Sequence, residues 1–155
     1  MDDRTTELSV WVNVPRHRVF NALIIAESIA QWMVPDGMTI IIHEFDGREG
    51  GTFRISLTYH SPLETGKTTP NTDTYHGRFV KLIPNEQVIE VVEFETADPL
   101  LQGEMTITFT FTDKKGGTEI LAVHDNLPPG LSTEDNETGW RMSLSKLTAL
   151  LEAKP

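Results

Sequence analysis

Large apolar residues recur along most of this chain with a period of two, the signature of strands with one buried face. The clearest run is Met105, Ile107, Phe109 and Phe111 alternating with Thr106, Thr108, Thr110 and Thr112, which predicts a strand whose threonine side is wet or lightly covered. Thr52 to Tyr59 repeats the pattern, with Phe53, Ile55, Leu57 and Tyr59 on one face and Thr52, Arg54, Ser56 and Thr58 on the other. Further strands are predicted over Leu8 to Val14, Met38 to Glu44, Thr74 to Ile83, Gln87 to Phe94 and Thr118 to Asn126. Proline and glycine clusters punctuate them: Pro15, Pro35-Asp36-Gly37, Pro84-Asn85, Ala97-Asp98-Pro99, Lys114-Lys115-Gly116-Gly117 and Pro128-Pro129-Gly130. The polar stretch His60 to Asp73, with two prolines, reads as a loop.

Helical spacing appears only near the two ends. Val19, Phe20, Leu23 and Ile24 predict a short helix after Pro15, and a second short helical piece is predicted over Glu27 to Met33. Trp140, Leu144, Leu147 and Leu151 predict one long helix from about Ser132 to Ala153. Ser132 or Thr133 suits its N-cap, and Glu134, Asp135 and Glu137 suit the positive end of its dipole. The order strand, two short helices, about six strands, long helix specifies an α+β fold in which a curved antiparallel sheet of six or seven strands grips the last helix. A single domain over residues 1–155 is expected, its core spanning about 8–153.

Charge narrows the partners. A formal net charge of −10 argues against unaided binding to nucleic acid or to anionic membrane, both of which reward clustered Lys and Arg. With no cysteine in the chain, disulfides, thiolate metal sites and cysteine nucleophiles are excluded. The start, Met1-Asp2-Asp3-Arg4-Thr5-Thr6-Glu7, is acidic where a secretory signal is basic and then apolar. A cytoplasmic location is therefore the expectation. The longest apolar stretches, such as Met38 to Ile42, fall far short of the roughly 20 residues that span a bilayer.

Candidate chemistry is sparse. His17, His43, His60, His76 and His124 are widely separated, with no zinc-hydrolase spacing, so no metal and no cofactor is expected. The serines have no recognisable histidine and acid partner. Arg54 and Arg78, with Glu90 and Glu93 on a nearby strand, are expected to form charge pairs on the convex face. The alternative is an inward Arg that anchors an anionic ligand. Arg48 is expected to fix the glycine-rich turn Gly47 to Gly51, which is no phosphate loop because no helix start follows it.

Several fragments, in order, resemble one family. They are Val14-Pro15 with Val19-Phe20-Asn21-Ala22-Leu23, then Gln31-Trp32, then Asp46-Gly47-Arg48-Glu49-Gly50-Gly51-Thr52-Phe53-Arg54 and His76-Gly77. Pro84-Asn85-Glu86, the Thr106 to Phe111 strand, Gly117-Thr118-Glu119 and Gly139-Trp140 with Leu144 and Leu147 complete the series. From about Leu8 to Leu151 the chain resembles the START-like (SRPBCC, Bet v1-like) helix-grip superfamily, and within it the heat-shock protein 90 ATPase activator homologue family. The additional N-terminal domain of chaperone-activating relatives has no counterpart in these residues, so the family name is not taken as the activity.

The resemblance implies a hydrophobic cavity between the last helix and the concave sheet. By parity its lining is expected to be Phe53, Ile55, Tyr59, Tyr75, Phe79, Met105, Ile107 and Phe109, with Trp32, Trp140, Leu144 and Leu147 from the helices. Tyr59 and Tyr75 would orient a ligand through their hydroxyls. Access is expected through the His60 to Asp73 loop and the Pro128 to Asn136 connection. The leading expectation is thus a carrier of a small apolar or amphipathic molecule. A protein-interaction module or co-chaperone-like ATPase activator is the alternative, using the acidic surface and a sheet edge. An enzyme of cyclase or hydrolase type is the third reading, with Tyr59, His76 or His124 as acid or base. Nothing in the sequence argues for or against a homodimer.

Overall fold

A computed structural model describes residues 4–60 and 71–153. Seven strands and three helices follow one another as β1 (Thr6–Val12), α1 (Arg16–Ile24), α2 (Ala26–Trp32), β2 (Met38–Phe45), β3 (Thr52–Tyr59), β4 (Thr72–Ile83), β5 (Gln87–Phe94), β6 (Met105–Lys114), β7 (Gly117–Asp125) and α3 (Thr133–Glu152). All seven strands form one curled antiparallel sheet in the order β1-β7-β6-β5-β4-β3-β2. The sheet is a meander except at one edge, where β1 joins β7 because the two short helices carry the chain across to the far side. This is the α+β helix-grip fold that the pattern predicts.

Strand boundaries shift by two residues in β1 and β4. Strand β1 starts at Thr6 and ends at Val12, where its pairing with Thr118 runs out, so Val14 turns inward and its carbonyl accepts from Thr118 Oγ1. Strand β4 begins two residues earlier than its apolar pattern suggests, because Thr72 and Asp73 pair with Thr58 and Leu57. Of the expected loop, residues 61–70 lie outside the described residues. The β6–β7 hairpin turns on Lys115 and Gly116, both at positive φ (51° and 81°), the geometry a two-residue turn needs to match the strand twist.

The core lies between the concave face and α3. Leu144, Leu147 and Leu151 of α3 pack with Val12, Val19, Leu23, Phe79, Val88, Phe109 and Ile120, all buried. Ser132 caps α3, its hydroxyl accepting from Asp135 N at 3.1 Å. Two cationic side chains hold the helix ends in place: Lys146 donates to Val34 O at 2.6 Å, and Arg4 donates to Leu127 O, Pro128 O and Leu131 O. Gly47 lets the β2–β3 turn press against the end of α1, where a Cβ would stand 1.9 Å from Ile24 O. No helix among the described residues is long and apolar enough to cross a membrane.

Candidate functional site

The inner face is built by alternation. Nine of the twelve residues expected to line a cavity, namely Trp32, Phe53, Ile55, Phe79, Met105, Ile107, Phe109, Leu144 and Leu147, keep 3% or less of their surface accessible. These nine belong to one hydrophobic core cluster. Tyr59, Tyr75 and Trp140 are half-buried. Phe45, Phe53, Phe79 and Tyr75 form an aromatic cluster with ring centroids 5.2 to 6.5 Å apart. Trp140 packs on Phe109 at 5.8 Å. Trp32 donates its indole N–H to Ala22 O at 2.9 Å, which ties α2 to α1.

Polar residues interrupt this apolar floor, and two of them, Glu90 and His124, share one row across β5, β6 and β7. Glu90 lies on the buried side of β5 between Val88 and Val92, opposite Phe79 on one neighbouring strand and Ile107 on the other. It is 5% exposed, and no group among the described residues hydrogen-bonds or pairs with it. Burial pushes its carboxyl from an ordinary 4.5 up to about 8, so it is protonated at neutral pH. The expectation of a convex Glu90 is thus corrected. Positions 90 and 93 differ by an odd number, so one of the two must face the core, and that one is Glu90. Glu93 does face outward, 3.5 Å from His76.

His124 is the second. It sits on β7 opposite Thr6 of β1 and Ile107 of β6, 7% exposed. Its Nδ1 accepts from the Asn136 amide of α3 at 3.0 Å, and the same amide donates to Thr6 Oγ1 at 3.2 Å. Its Nε2 is buried without a partner among the described residues. The Trp140 ring stands edge-on to the imidazole at 6.1 Å. Desolvation lowers its pKa from 6.5 to about 4, so the ring is neutral. Glu90 and His124 occupy one row of the concave face, two strands apart, which is about 10 Å at ordinary strand spacing.

Tyr75 contributes a hydroxyl that donates towards Met33 Sδ at 3.5 Å. Burial, then the charges of Glu90 and Asp73, raise its pKa far above the ordinary value. On the seam between β1 and α3 a cleft of about 240 Å³ is lined by Thr5, Thr6, Glu7, Thr133, Glu134 and Glu137. One of its lining residues, Thr6, accepts from the Asn136 amide that also holds His124.

The remaining candidates face away. Arg54 makes a two-pronged pair with Glu95, both distances 2.9 Å, and this pairing with help from His76 holds the Glu95 carboxyl below its ordinary range. Arg78 pairs with Glu104 and Arg48 with Asp46 in the glycine turn. Neither Arg54 nor Arg78 enters the interior. His76 is outward and exposed, which removes it as an interior acid or base. One serine does have a histidine: His43 Nε2 lies 2.8 Å from Ser56 Oγ, itself 2.7 Å from Thr74 Oγ1. That contact includes no acid, so it is not a nucleophile arrangement. It lies on the convex side of a β-ladder, and no third group among the described residues orients the ring. Among the described residues no cluster of three or more acidic or histidine side chains could hold a metal ion.

No curated protein matches the sequence. Solved structures do resemble it. Protein CV1439 from Chromobacterium violaceum is 25% identical, with 97% of this chain and 99% of that one aligned at a TM-score of 0.87. Protein NE0264 from Nitrosomonas europaea is 22% identical, covering 98% and 97% at 0.71, and a Rhodobacter sphaeroides protein is 18% identical, covering 98% and 95% at 0.75. The sequence matches the family described as Activator of Hsp90 ATPase homolog 1-like protein over residues 13–152. With nine-tenths of its length inside that match and the helix-grip architecture complete, the chain belongs to the Activator of Hsp90 ATPase homolog 1-like family of START-like proteins.

Proposed function

We propose that the protein binds a small apolar or amphipathic molecule between α3 and the concave face of the sheet. One observation carries the reading: His124 Nε2 is buried with no partner among the described residues, in the same row of the concave face as the buried Glu90. Such a group costs on the order of 1–3 kcal/mol when left unpaired, and a bound molecule with its own polar atoms recovers that cost. The site would reach the surface beside Trp140, which is half-buried and packs edge-on to His124. Access runs by the β1–α3 seam, beside the Pro128 to Asn136 connection.

The test is native mass spectrometry of the protein purified from its own host, then denaturing extraction of what is released. A stoichiometric small molecule is expected. An apo mass, together with an unfolding temperature that saturating apolar compounds leave unchanged, rejects the carrier reading.

A second reading, an enzyme of cyclase or hydrolase type, is favoured by the same carboxyl, whose raised pKa suits a general acid at neutral pH. Incubating the protein with the extracted molecule decides it: a new product supports catalysis, and recovery of the molecule unchanged rejects it. The cochaperone-like reading draws on edge strand β2, where Ile41 is 55% exposed on a protein of net charge −10. Salt-sensitive capture of a basic partner would support it.

A further inference from the structure

The geometry points to an interior that recognises an uncharged molecule through hydrogen-bond acceptors on that molecule, such as a ketone, quinone or ester carbonyl, with His124 Nε2–H as the fixed donor. This deepens the binding reading above and rests on it. The donor assignment follows from counting hydrogens. The Asn136 amide nitrogen has two, and its two neighbours at hydrogen-bond distance are Thr6 Oγ1 at 3.2 Å and His124 Nδ1 at 3.0 Å. Nδ1 is therefore the bare nitrogen, and the proton of the neutral ring sits on Nε2. That N–H is buried and unpartnered.

Among the described residues nothing accepts from it. Ile107, its neighbour across the ladder, offers carbon, Trp140 presents its ring edge-on, and Thr6 and Asn136 lie on the Nδ1 side. Glu90, across Ile107 on the same face, is the second buried polar group of this row. Its carboxyl is protonated at neutral pH, which makes it a donor as well. Two donors about 10 Å apart on an apolar floor select a molecule with acceptors and no obligatory charge. An anion would be read better by a cationic side chain, yet Arg54 and Arg78 both point outward to carboxylates.

The test uses two probes of one shape, benzophenone and diphenylmethane, titrated into the full-length protein, with the imidazole followed by ¹⁵N-edited NMR. A merely greasy interior favours diphenylmethane, the more apolar of the two. A donor-lined interior reverses that order. Benzophenone is expected to bind about tenfold tighter, the scale of one recovered buried hydrogen bond, and to shift the His124 Nε2–H resonance. His124→Phe is expected to abolish the preference. Should that variant fail to fold, the wild-type comparison and the tautomer seen by NMR still decide. Equal affinities, a preference for diphenylmethane, or a ring protonated on Nδ1 overturns the donor assignment and leaves ligand binding standing. Binding of neither probe overturns both.

Discussion

Replacing Glu90 by Gln keeps the shape of the side chain and removes its ability to ionise, which isolates the cost of the buried carboxyl. In the native protein the group holds its proton up to about pH 8, whereas in the unfolded chain it releases it near 4.5. Between those values the native state carries one proton more, so this group's contribution to stability is complete below pH 4.5 and is lost as pH rises through about 8. The full loss corresponds to about 5 kcal/mol as an upper bound, at 1.36 kcal/mol per pH unit. His124 acts in the opposite sense, because its proton is held less tightly when folded; its contribution is lost as pH falls from 6.5 towards 4. Glu95, held low by Arg54, acts only in acid. The window above pH 6.5 therefore reports Glu90 alone among these three. From pH 6.5 to 9 the wild type should lose at most about 2 kcal/mol that Glu90→Gln does not, a relative shift of about 1 M in urea midpoint. Urea unfolding followed by tryptophan fluorescence measures this, since Trp32 is fully buried. A wild-type to variant difference that stays constant from pH 6.5 to 9 refutes the buried-acid argument.

Three other outcomes follow from packing and caps. Gly77→Ala should destabilise by about 1–3 kcal/mol, because a Cβ there would stand 2.4 Å from Val91 O and 2.7 Å from the Phe53 ring; calorimetry that finds no change in melting temperature contradicts it. Leu147→Ala empties a fully buried position of α3 and should cost about 2–5 kcal/mol, read as a lower urea midpoint at an unchanged slope. Ser132→Ala removes the hydroxyl that accepts from Asp135 N and should cost about 1 kcal/mol, whereas Ser132→Asp should restore most of it.

The fold was legible wherever the two faces of an element differ strongly. Strand β6 alternates large apolar residues with threonines, and α3 keeps its leucines on one stripe, so period alone orients both. Strand β5 offers a weaker contrast. Val88, Glu90, Val92 and Phe94 form one face and Gln87, Ile89, Val91 and Glu93 the other, one acid on each with three apolar residues against two. The register with Phe79 and Ile107, fixed by the hairpins on either side, settles which acid is inside. His124 was hidden the same way, since Ile120 and Ala122 on its own face are matched by Leu121 and Val123 on the other. The His43 to Ser56 contact depends on the irregularity between Ile42 and Glu44, which parity cannot anticipate. The signal available in sequence for Glu90 was the odd spacing of two glutamates in one strand.

Buried together, Glu90 and His124 make a pair whose protons balance. Between about pH 4.5 and 6.5 the unfolded chain holds a charged imidazole and a charged carboxylate, and the native interior holds both groups neutral. Folding then releases one proton and takes up another, so the pair's combined pH dependence is flat across that interval while each group separately carries a cost. The same balance constrains what can bind beside them. An anion accepted by a protonated His124 takes up a proton on binding, and a cation accepted by an ionised Glu90 releases one. Only an uncharged molecule leaves both groups in the states that burial imposes. Calorimetric titration of benzophenone at pH 6 in two buffers of different ionisation enthalpy should therefore give the same apparent heat. Heats that differ by an appreciable fraction of the difference between the buffers would mean that binding moves a proton, and the neutral pair would not be the state that receives the ligand.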